Sequence, residues 1–125
     1  MPMKRTTCIT PGEFELMEIL WSAGEASVRE VWQHVIPRRP LAYTTVMTVL
    51  DKMHRKGILT QRKHGKAYIY SPAIDRDQAL AAVVEHVLKT YFNNSPSELL
   101  RFVSSRENEL ESDNTVEMSQ FSNKE

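Results

Sequence analysis

A chain of 125 residues, 41% of them apolar against a usual ~45–50%, carries material for one domain with a modest core and argues against both a multidomain enzyme and wholesale disorder. Its single cysteine, Cys8, excludes an internal disulfide or a multi-cysteine metal site and suits a reducing cytoplasm. The formal net charge of zero hides a division: residues 1–72 hold 11 Lys+Arg against 6 Asp+Glu, giving +5, and residues 73–125 hold 5 against 10, giving −5.

Thr10-Pro11-Gly12-Glu13 supplies a hydroxyl cap, a proline at the first helical position and a carboxylate three residues after the cap. These open a helix whose apolar positions Phe14, Met17, Leu20 and Trp21 share one face and which Gly24 closes. Ser27-Val28-Arg29-Glu30 repeats the capping pattern, and Val28, Val31, Trp32 and Val35 predict a short second helix that Pro37 keeps from continuing. After Pro40, Val46, Val49, Leu50 and Met53 recur at helical spacing and predict a third helix from about Ala42 to Lys56, ended by Gly57. Its other face carries Tyr43, Thr44, Thr45, Thr48, Lys52 and Arg55, hydroxyls first and cations after.

The period then changes to alternation. Ile58 to Lys63 and Ala67 to Ser71 predict two strands joined through His64-Gly65, a β-hairpin whose tip gathers Arg62, Lys63, His64 and Lys66. In the acidic half, Leu80, Val83, Val84, Val87, Leu88 and Tyr91 predict a helix from about Arg76 to Phe92, with an apolar stripe wide enough to need more than one partner surface. Ser95-Pro96-Ser97-Glu98 opens a further helix with Leu99, Leu100, Phe102 and Val103 on its apolar side. Glu107 to Glu125, acidic and rich in Ser and Asn, reads as a mostly disordered tail.

Three helices followed by a hairpin form the order of a winged helix-turn-helix, so the fold class is mostly α with a small β-hairpin and C-terminal dimerisation helices. On that mount the charges acquire a use. Tyr43, Thr44, Thr45 and Thr48 can meet base edges and thymine methyls. Arg38, Arg39, Lys52, Arg62, Lys63, His64 and Lys66 can contact phosphate, which sets affinity more than sequence choice. The rival reading is a winged-helix adaptor that docks an acidic protein on its basic face. Gel-shift competition separates the two, because only a DNA reader prefers an inverted repeat by ~10³ or more at fixed salt.

Other chemistry finds no support in the residues. No nucleophile elbow, phosphate-cradling glycine loop, HExxH or carboxylate pair emerges, so an enzyme is not expected. His34, His54, His64 and His86 match no compact metal motif, and no metal or cofactor is expected. Trp21 and Trp32 read as core. No apolar run approaches the ~20 residues of a bilayer crossing, and Met1 to Thr10 lacks the apolar core of a signal peptide, so direct membrane insertion is not expected.

The stretch Leu41-Ala42-Tyr43-Thr44-Thr45-Val46-Met47-Thr48-Val49-Leu50 resembles the recognition-helix signature of the penicillinase-repressor (BlaI/MecI) family, and Val28-Arg29-Glu30-Val31-Trp32 resembles its second helix. Glu13-Phe14-Glu15-Leu16-Met17, Lys56-Gly57-Ile58-Leu59 and Gly65-Lys66-Ala67-Tyr68-Ile69-Tyr70-Ser71-Pro72 continue the likeness in order. The resemblance implies a cytoplasmic bacterial repressor that binds double-stranded operator DNA at an inverted repeat, often with TACA/TGTA-type half-sites. It also implies homodimerisation through the C-terminal helices. Residues 1–73 would then be the DNA-binding domain, 74–106 the dimerisation segment and 107–125 the tail. Relatives induced by a membrane sensor protease are cut at an Asn-Phe bond where this chain has Arg101-Phe102, and copper-responsive relatives carry paired C-terminal cysteines that it lacks.

Overall fold

The Thr10 hydroxyl accepts the Glu13 N–H at 3.1 Å, and the Glu13 carboxylate accepts the Thr10 N–H in return, closing the box that starts the first helix. The computed structural model describes residues 8–107. Helix α1 spans Pro11–Ala23, and Gly24 ends it at φ 88°, a value that favours glycine. A second reciprocal box, between Ser27 and Glu30, opens α2, Val28–Val35. Helix α3 covers Tyr43–Lys56 and stops at Gly57 in the left-handed conformation. Each helix lies within a residue or two of its expected bounds.

The hairpin is shifted by one residue at three of its four strand ends: β2 is Leu59–His64 and β3 is Ala67–Pro72. His64 remains in the ladder opposite Ala67, so the loop consists of Gly65 and Lys66. Gly65, at φ 65°, takes the first loop position that a II′ turn reserves for glycine. The expectation of a two-stranded sheet needs correction. Ala26–Ser27 forms a further strand, β1, antiparallel to β3 through Ala26↔Tyr70 and Ser27↔Ile69, giving the order β1-β3-β2. Two residues show no alternation, and only the arrival of β3 makes this segment a strand.

The core gathers where the three helices meet the sheet. Met17 and Leu20 from α1, Val31 and Val35 from α2, Val46, Leu50 and Met53 from α3, and Ile58 beside β2 are all buried. Phe14 and Trp21 pack half-buried at its margin, edge to face with centroids 5.5 Å apart. Each tryptophan satisfies its indole N–H on a carbonyl, Trp21 on Ile74 and Trp32 on Leu41, both at 2.9 Å. The second bond ties α2 to the residue that leads into α3.

Helix α4 covers Arg76–Tyr91. Contacts divide the chain into two units, 1–84 and 85–125, so the first turns of α4 belong with the helices and sheet. There its small residues Ala79 and Ala82 are buried, while Leu80 and Val84 face outward. In the second unit, Asn93 and Asn94 take φ values of 52° and 60°, a region asparagine tolerates, and turn the chain out of α4. The Ser95 hydroxyl then accepts the Glu98 N–H and caps a fifth helix, α5, residues 96–107. The expected tail lies outside the described residues apart from Glu107. Among the described residues, no helix is long and apolar enough to cross a membrane.

Candidate nucleic-acid interface

Helix α3 is anchored from one side only. Val46, Leu50 and Met53 face the core, and Tyr43, Thr44, Thr45, Thr48 and Lys52 are all exposed. Its N-cap, Ala42, has no side chain able to bond the first turn, so the backbone N–H groups of Tyr43 and Thr44 stay available to an acceptor from outside, while that of Thr45 donates to the Ala42 carbonyl at 3.1 Å. Tyr43 is steadied from below: its ring meets Trp32 edge-on at 5.7 Å, and the Arg29 guanidinium lies 5.9 Å from its centroid. Arg29 escaped the sequence reading because α2 and α3 come together only in the fold. Met47, exposed one turn after Tyr43, is placed beside it by helical spacing alone.

The expected phosphate contacts fall into two groups. Arg38 and Arg39, in the turn before α3, reach Glu15 of α1 at 3.5 and 2.8 Å. Arg62 reaches Glu25 at 2.9 Å. The three guanidinium groups are more than half exposed, so each pair contributes at most about 1 kcal/mol. By contrast Lys52, Lys63, His64 and Lys66 make no ion pair among the described residues, and the last three gather at the hairpin tip. Tyr68, opposite Lys63 on β3, is also exposed, an addition that strand alternation alone did not mark as a surface residue.

Lys56 belongs to neither group. Although it counts in sequence with the basic run, its Nζ donates to both Glu13 oxygens, at 2.7 and 2.9 Å, and to the Cys8 carbonyl at 2.7 Å. It locks the end of α3 to the start of α1. Behind the hairpin, Tyr70 is buried and its hydroxyl accepts a hydrogen bond from Gln61 at 2.9 Å. Burial pushes its phenol above the usual value near 10; the Gln61 bond opposes that shift, and the Asp51 charge adds to it.

Among the described residues no three His, Cys, Asp or Glu side chains converge as a metal site. The described surface therefore offers hydroxyls, cations and an uncapped helix start on one outward face, with a cationic hairpin in the same unit. Three helices and a three-stranded sheet in this order define the winged helix-turn-helix class.

Comparison with known proteins narrows the class. The family model described as Penicillinase repressor matches residues 9–124, and the chain belongs to that family. Transcriptional regulator BlaI of Mycobacterium tuberculosis is 37% identical over 87 residues, which cover 69% of this chain. The chain spans only 63% of that relative's length. The solution structure of the DNA-binding domain of the repressor BlaI is 28% identical, with a TM-score of 0.54 over 59% of this chain and 90% of that one. The Bacillus licheniformis BlaI monomeric form in complex with the blaP half-operator is also 28% identical, with a TM-score of 0.51 over 60% of this chain and 92% of that one.

Proposed function

We propose that the chain is a transcriptional repressor that binds an inverted-repeat operator as a homodimer, with α3 in the major groove and the hairpin on flanking phosphate. The observation that carries this reading is the exposed face of α3, where Tyr43, Thr44, Thr45 and Thr48 stand over a fully apolar underside. These four read base edges; Arg38, Arg39, Lys52, Arg62, Lys63, His64 and Lys66 hold phosphate. A relative of the same fold solved with a half-operator supports the assignment.

Residues 1–73 do the binding, and 74–106 pair two copies. Support for pairing comes from apolar side chains left exposed in each unit: Leu80 and Val84 in the first, Tyr91, Leu100, Phe102 and Val103 in the second. Half-buried apolar side chains belong to the same proposed pairing set, Val83 in the first unit, where it also packs against the core, and Val87, Leu88 and Leu99 in the second. One recognition helix reads a few base pairs, and two related by symmetry read a palindrome. Induction by a membrane sensor protease would cut near Arg101-Phe102, both exposed on α5, and mass spectrometry of the induced protein locates or excludes that cut.

Gel-shift competition with DNA from upstream of the chain's own gene tests the central reading. A repressor prefers an inverted repeat in that DNA over scrambled duplex by roughly 10³ or more at fixed salt. Equal affinity for both duplexes leaves only a basic surface without a reading function.

A further inference from the structure

The stripe of α3 opposite its core seam is Thr44, Thr48, Asp51 and Arg55, at i, i+4, i+7 and i+11. A carboxylate on a surface meant for polyanionic DNA requires a reason. Here Arg55 donates from both Nε and Nη2 to the single oxygen Asp51 Oδ2, at 3.1 and 2.7 Å. The two side chains are 71% and 47% exposed, so the pair stands on the open face.

Two uses of such an arginine can be compared. As a phosphate contact it would gain from bare positive charge, and the adjacent carboxylate cancels much of that gain. As a base contact it gains from direction. Five N–H donors sit on a planar guanidinium, and fixing Nε and one Nη2 hydrogen leaves the Nη1–Nη2 edge whole. That edge matches the O6 and N7 acceptors of guanine in the major groove.

We infer that Asp51 and Arg55 form a base-reading couple, in which Arg55 recognises a guanine of the operator and Asp51 is the positioning residue that holds its plane. The inference rests on the proposed DNA-reading function and names residues beyond those assigned above. It also accounts for the acid, which a phosphate-gripping face would exclude.

Selection of bound sequences from a randomised duplex pool tests it, using the full chain and its Arg55→Ala, Arg55→Lys and Asp51→Asn variants. The wild type yields a preferred sequence with a G·C pair that Arg55→Ala no longer selects, discrimination there falling roughly 5- to 150-fold. Arg55→Lys keeps the charge but loses the same preference, and Asp51→Asn weakens it at that position alone. Unchanged preference in all three variants overturns the inference. So does a uniform affinity loss with a salt slope reduced by about one, which marks a phosphate contact. A change in melting temperature alone reduces the pair to a helix-stabilising bridge and also overturns it. If the wild type selects no sequence at all, the DNA-reading function falls, and this inference with it.

Discussion

Glu13 is 3% exposed, yet it carries a charge matched by Lys56 and by the N–H of Thr10. One carboxylate thus caps α1 and fixes the end of α3, and removing either partner strands the other in a poorly hydrated place. Lys56→Met should lower unfolding free energy by about 2–3 kcal/mol, less than for a fully buried pair because Lys56 retains 22% exposure. Adding Glu13→Gln should cost less in that background than in the wild type, which urea melts of the four proteins check. Tyr70 gives a second test at this scale. Its pKa is raised in the folded chain, so its contribution to stability is intact below about 10, the unfolded value. It fades as pH rises from there through the folded value, because only the unfolded state ionises first. Ultraviolet titration should show one phenol ionising above the usual range, and Tyr70→Phe should remove that component and reduce the alkaline loss of stability.

Among the elements, the proposed function gives α3 the choice of sequence and the hairpin the grip on phosphate. Thr45→Ala should relax sequence discrimination, whereas Lys66→Ala should weaken binding to every duplex and lower the salt slope by about one. Titrations against preferred and scrambled duplex over a salt series separate these effects; equal loss on both duplexes for Thr45→Ala contradicts its role. The bounds of α1, α2 and α3 were legible because caps and apolar spacing are local: Thr10 with Glu13, and Ser27 with Glu30, lie three residues apart. The outward hydroxyls of α3 were legible for the same reason. Strand β1 was not, since Ala26 becomes a strand residue only against Tyr70, far along the chain. Nor were the bonds of Lys56 to Glu13, of Arg62 to Glu25, or the seat of Arg29 on Tyr43, where the partners meet through the fold. Charge counted along the sequence therefore overstated the free cations, because acids distant in the chain return to neutralise some of them.

For the molecule as a whole, the proposed pairing would turn a modest binding surface into a selective one. Leu100, 66% exposed on α5, supports no core around it, so Leu100→Glu should leave helix content unchanged. It should weaken the dimer roughly tenfold or more by sedimentation analysis, and an unaltered monomer–dimer balance contradicts its place in the interface. The claim beneath all of this is that duplex DNA seats on the outward side of α3. Backbone amide shifts followed by nuclear magnetic resonance, as the preferred duplex is added to the full chain, test it most directly. The account predicts the largest changes at residues 43–55 and 62–68, with the opposite side of α1 quiet; changes confined to α1, or none in α3, contradict it.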